Sequence, residues 1–131
     1  MTETSARVTG IGGVFFRSRD PAATSAWYAR HLGLAVTEWG GCIFPWREAA
    51  DPAREGATVW SPFPADTEYF GNPTQPVMIN YRVADLDAVL TALAAEGVTV
   101  LPDRAEEPNG RFAWIIDGDG NRVELWEPKG T

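Results

Sequence analysis

The chain has 131 residues, enough for one domain or two small modules sharing a core, and 44% are apolar, too many for a disordered chain. The net charge of -7 repels phosphate backbones, which argues against nucleic acid as a partner. A single cysteine, Cys42, rules out an internal disulfide; no apolar run is long enough to span a membrane, and the N-terminus MTETSARVTG does not read as a signal peptide, so a cytoplasmic protein is expected.

Residues 8–17, VTGIGGVFFR, predict a strand. Asp20-Pro21 opens a helix, with a capping side chain followed by proline at the first helical position, and Gly33 stops it. LAVTEW and CIFPW, split by Gly40-Gly41, predict a hairpin. REAADPAREG is a polar loop and ATVWS a fourth strand. PFPADTEYFGNPTQP, residues 62–76 with four prolines, reads as a linker that joins the two halves over residues 63–75. VMINYRV is again a strand. Asp85 caps a second helix, whose Leu86, Val89, Leu90 and Leu93 share one face. VTVL predicts a strand and RAEEPNG a loop. RFAWII and RVELW predict a hairpin around DGDGN.

The second half repeats the order of the first. An offset of 65 residues brings Asp20 onto Asp85, Arg17 onto Arg82, Phe16 onto Tyr81 and Gly13 onto Met78. The phrases TVWSP and ELWEP also match, setting Thr58 beside Glu124. The chain therefore reads as a tandem duplication, with βαβββ modules over residues 7–62 and 76–128, in the α+β class.

DPAATSAWYARHLGL, MINYRVADLDAVL and DGDGNRVELWEP carry a resemblance to the vicinal oxygen chelate superfamily, which includes glyoxalase I, bleomycin-resistance proteins and extradiol dioxygenases. The resemblance implies two modules whose curled mixed sheets surround a cleft. It also implies a homodimer and, in the enzymes, a divalent metal held by histidines and glutamates on the first and last strands of each module. Those positions here are Gly13, Thr58, Met78 and Glu124, and only Glu124 is a strong ligand. The one histidine, His31, lies on the first helix. No metal and no cofactor are expected.

Asp117, Asp119 and Asn121 match the start of a calcium loop. The sixth and twelfth places hold Arg122 and Pro128, so a tight turn is the better reading. Strand alternation puts Glu124 on one face with Arg122 and Trp126. It reads as a recessed ligand anchor or general base, or as an inherited relic satisfied by an arginine or a backbone N–H. Arg17 and Arg82 fit an anionic ligand, a pairing with Glu124, or plain solvation. Trp60 and Trp114 are candidates for lining a pocket that suits a flat aromatic or cationic molecule. The candidate ligand-binding set is Gly13, Phe15, Thr58, Trp60, Met78, Asn80, Trp114 and Glu124.

The expected function is metal-independent binding of a small molecule, of the glyoxalase/bleomycin-resistance type, with sequestration of a toxic compound as one job. The alternatives are a lyase or isomerase in the same cleft, either metal-dependent with unusual ligands or using Glu124 as base, and a purely structural or regulatory interaction domain.

Overall fold

The computed structural model describes residues 7–129. Its elements are β1 (Val8–Ser18), α1 (Pro21–Leu32), β2 (Cys42–Arg47), β3 (Glu55–Pro64), β4 (Val77–Val83), α2 (Leu86–Ala95), β5 (Thr99–Glu107), β6 (Gly110–Ile116) and β7 (Arg122–Pro128). The fold is α+β, with seven strands in a mixed sheet. Two compact units divide the chain: an N-terminal unit, Gly13–Met78, and a C-terminal unit built from Ile79 onward together with the residues up to Gly12.

Both helices begin as their sequences predict. Asp20 accepts from the Ala23 N–H and Asp85 from the Ala88 N–H, each at 3.1 Å. Gly33 ends α1 in the left-handed region, φ 72°, and donates to the carbonyls of Tyr28 and Ala29.

In the N-terminal unit the order is β2-β3-β1, with β1 parallel and β2 antiparallel to β3. α1 packs its Tyr28 against Trp60 of β3 and Phe16 of β1. The predicted strand LAVTEW does not form. Residues 34–39 spend their backbone groups locally instead: Leu34 N–H bonds the Tyr28 carbonyl, Thr37 N–H bonds Gly41 O, and Gly40 N–H bonds Thr37 O. The helix cap and this turn use the donors that a ladder would need, so the half is βαββ rather than βαβββ.

In the C-terminal unit the order is β1-β4-β7-β6-β5. β4 is parallel to β7, and β6 is antiparallel to both β7 and β5. α2 covers one sheet face. Val83, Leu86, Val89, Leu90, Ala113, Val123 and Leu125 make the core there, with Leu93 packed against it. The predicted stripe on α2 is thus the helix's buried face. β5 runs further than predicted, taking in residues 104–107 after an irregularity between Val100 and Arg104.

DGDGN forms the predicted turn. The Asp117 carboxylate accepts from the N–H groups of Asp119 and Asn121, both at 2.9 Å, and Gly120 takes φ 85°. These N–H groups, that of Asn121 foremost, hold the Asp117 carboxyl below its ordinary pKa. Among the described residues, no helix is long and apolar enough to cross a membrane.

Candidate functional site

Alternation along β7 sends Val123 and Leu125 into the core under α2 and turns Arg122, Glu124 and Trp126 to the other face. The pairing register then fixes the neighbours of Glu124: Asn80 on β4 and Trp114 on β6. All three side chains are buried, Glu124 at 2% exposure and Asn80 at 1%. Asn80 Nδ2 donates to Glu124 Oε1 at 2.6 Å, and Trp114 Nε1 donates to Oε2 at 3.0 Å. Each carboxylate oxygen is therefore held by a neutral N–H donor. This is the condition under which a buried carboxylate is tolerable, because desolvation without such bonds costs several kcal/mol.

The same face carries two cations over aromatic rings. Arg122 lies 5.2 Å from the Trp114 ring centroid, and Arg82, itself buried, lies 5.2 Å from that of Trp126. Trp126 stacks on Phe112, 5.9 Å apart and 4° from parallel, and its Nε1 donates to Asn109 O. Gly12 closes up to this group. A Cβ there would meet Asn80 Oδ1 at 2.2 Å and Trp126 Cε3 at 2.9 Å, so only glycine leaves Asn80 its place. Asn80, Trp114 and Glu124 are thus brought together from the candidate set. Gly12 was not in that set. Its signal in the sequence was the pair Gly12-Gly13 inside a strand, where a glycine marks close approach.

The candidates of the N-terminal unit are placed differently. Gly13 pairs with Val59, and Phe15 folds its ring back over Gly13, where a Cβ would lie 2.7 Å from Phe15 Cζ. Thr58 and Trp60 point the opposite way. Trp60 sits under α1 with Phe16 and Tyr28, and Thr58 Oγ1 accepts from Trp46 Nε1 at 2.8 Å. Trp60 is therefore part of the helix packing rather than a lining residue, and Thr58 is not the counterpart of Glu124. TVWSP and ELWEP are out of phase by one residue, and on a strand one residue reverses the face. Met78 is fully buried on β4, on the strand face of Asn80.

Arg17 ties down a loop of its own unit. Its guanidinium donates to four backbone carbonyls of its own unit, those of Gln75, Ala65, Thr67 and Asn72, at 2.7–3.0 Å.

The residues do not fit the divalent metal of the family's enzymes. Gly13 offers no side chain, Thr58 is a neutral hydroxyl that accepts from Trp46 Nε1, and Met78 is a thioether. Glu124 is the one strong donor among the four positions, and a divalent metal needs several. Among the described residues, no three of His, Cys, Asp and Glu gather.

No curated protein sequence matches the chain. Solved structures do. A variant of Streptomyces coelicolor methylmalonyl-CoA epimerase, in complex with 2-nitronate-propionyl-CoA, is similar with a TM-score of 0.69 at 20% identity, over 94% of this chain and 99% of that one. The Mycobacterium tuberculosis methylmalonyl-CoA epimerase gives 0.62 at 21% identity, over 95% and 91%. A Legionella pneumophila structure described as an NAD-dependent benzaldehyde dehydrogenase gives 0.58 at 12% identity, over 89% and 98%. At these identities the likeness is one of fold. The family model of the Glyoxalase/Bleomycin resistance protein/Dioxygenase superfamily matches residues 10–125, and the chain belongs to that superfamily.

Proposed function

We propose that the chain binds a planar aromatic or cationic small molecule without a resident metal, and that Glu124 is its polar anchor. One observation carries this: a buried carboxylate held by two neutral donors, Asn80 and Trp114, on the sheet face opposite the apolar core. A core built for stability alone does better with apolar side chains at such positions. Sequestration of a toxic compound is the job that such binding without turnover performs. The expected assembly is a homodimer in the cytoplasm.

A second reading makes the protein an enzyme with Glu124 as general base. It is favoured by the fixed orientation of the carboxylate, since a base works only when held in register with the proton it takes. The fold likeness to epimerases points the same way.

Tryptophan-fluorescence titration of wild type and Glu124→Gln against a panel of aromatic cations, neutral aromatics and small anions tests the main reading. Tight binding of aromatic cations, weakened by the substitution, is the expected result. Binding of small anions alone would overturn it and make arginines the recognition residues. Elemental analysis of untagged protein completes the test, since a one-to-one metal content lost on Glu124→Ala contradicts metal-independence.

A further inference from the structure

Helix α1 turns Ser25, which is buried, and Tyr28 toward the sheet, where the Tyr28 ring meets Phe16 at 6.4 Å and Trp60 at 4.9 Å. Trp27 lies beside them on the outer side and is 53% exposed. A lone exposed aromatic is ordinary. Trp27 differs in being fixed from two directions. The His31 ring, one turn further on, lies 4.7 Å from it at 45°, and Tyr28 meets it edge-on at 5.2 Å and 76°. Long side chains on a helix lean back over the residues three and four positions earlier. His31 therefore leans onto Trp27, and Trp27 leans toward Ala23 and Thr24.

Ala23 is too small to fill the space below the indole. A cavity of about 460 Å³ opens there, lined by Ala23, Thr24, Trp27 and Tyr28. That volume falls in the range of small-molecule sites, about 300–1,000 Å³. Two of the four lining side chains are aromatic and none is charged. The polar groups of this helix turn are engaged locally. Thr24 Oγ1 pairs with Ser18 Oγ at 2.7 Å, the Ala23 N–H donates to the Asp20 carboxylate, and the Thr24 N–H donates to the Asp20 carbonyl. An ion finds no counter-charge in this lining, whereas a flat apolar ring finds an indole face already ordered for stacking. Four residues of one helix are also far short of the roughly 20–30 residues a side that a stable protein contact uses.

We propose that this cavity is a binding site for an uncharged planar aromatic molecule, with the Trp27 indole as its stacking surface and His31 as the positioning residue that holds the indole. The site goes beyond the small-molecule reading of Glu124 and shares no residue with that group.

Prodan, an uncharged planar naphthalene whose emission shifts to the blue when it leaves water, tests the site by titration. Wild type should bind saturably. Ala23→Leu should bind about tenfold more weakly, because leucine fills the cavity. Position 23 is exposed and leucine suits a helix, so stability should hold, with near-ultraviolet circular dichroism as the check. Trp27→Ala should show a similar loss, about that of one stacked ring with its buried area, and Trp27→Phe a smaller one. His31→Ala should weaken binding severalfold, and His31→Phe, which restores a ring against the indole, should recover it. Wild-type affinity in both Ala23→Leu and Trp27→Ala would overturn the proposal. Prodan binding lost in Glu124→Gln but kept in Ala23→Leu would overturn it too, by placing the probe at Glu124, while the reverse pattern supports the α1 site whatever Glu124 does. Sedimentation closes the remaining route: a wild-type dimer that becomes monomeric in Trp27→Ala would make this face a contact between copies and overturn the small-molecule site.

Discussion

The two halves start alike and end apart. Asp20 and Asp85 cap their helices with the same bond at the same length, and Phe16 and Tyr81 lie on the helix side of their strands. On the opposite face they diverge. The C-terminal unit carries Asn80, Arg82, Trp114 and Glu124 there. The N-terminal unit has Gly13, Phe15, Val59 and Phe63 on that face. Arg17 and Arg82 share a position in the repeat, yet Arg17 closes a loop while Arg82 lies over Trp126. Both halves hold what each helix needs in order to start and pack. The other face is polar in one half and aromatic in the other.

Arg17→Ala should break this comparison most sharply. It removes four charge-assisted bonds and leaves their carbonyls to water, an expected loss of about 3 kcal/mol. Denaturant unfolding measures the loss, and limited proteolysis should show new cuts within residues 65–75. A loss below about 1 kcal/mol would mean that the loop holds itself.

Trp114→Phe comes next. It keeps the ring but removes the donor to Glu124 Oε2, with an expected cost of about 1–3 kcal/mol by thermal or urea unfolding. Trp60→Phe, at the matching phrase of the other half, should cost packing only and leave ligand titrations unchanged. If Trp60→Phe alters binding and Trp114→Phe does not, the assignment of faces is reversed.

Glu124→Gln should be milder still in stability, within about 1 kcal/mol. Gln can keep an oxygen toward Trp114, and the Asn80 amide can turn to offer Oδ1 to the new NH2 group. Its effect should instead be seen in ligand affinity. A large fall in melting temperature with unchanged binding would make Glu124 structural.

The smallest effect belongs to the β6–β7 turn. The Asp117 carboxyl is held below its ordinary pKa, chiefly by the N–H of Asn121. A depressed folded value means the stabilisation is present above the unfolded pKa of about 3.9 and fades as pH falls through the folded value. Asp117→Asn should therefore slightly lower stability near neutral pH and flatten that acid dependence. Equal acid profiles for the two proteins would remove Asp117 from the account.

Much of this was legible in the sequence because it is local. Caps, the apolar stripe of α2 and the DGDGN turn depend on residues within a few positions of one another, and each formed where its pattern placed it. The likeness of β1 to β4 was legible for the same reason. Glu124 could be singled out because a carboxylate stands out between Val123 and Leu125. What the sequence could not fix was phase. TVWSP and ELWEP look equivalent, but a one-residue difference turns Trp60 under α1 and Trp126 away from α2, and only the pairing registers decide this. Nor could residues 34–39 be denied a strand by pattern, because the helix cap and turn that claim their backbone groups are settled by geometry. The partners of Glu124 and the four carbonyls of Arg17 lie many positions away in the chain. Hydrogen bonds of that kind depend on where strands and loops come to rest, so the tertiary structure alone assigned them.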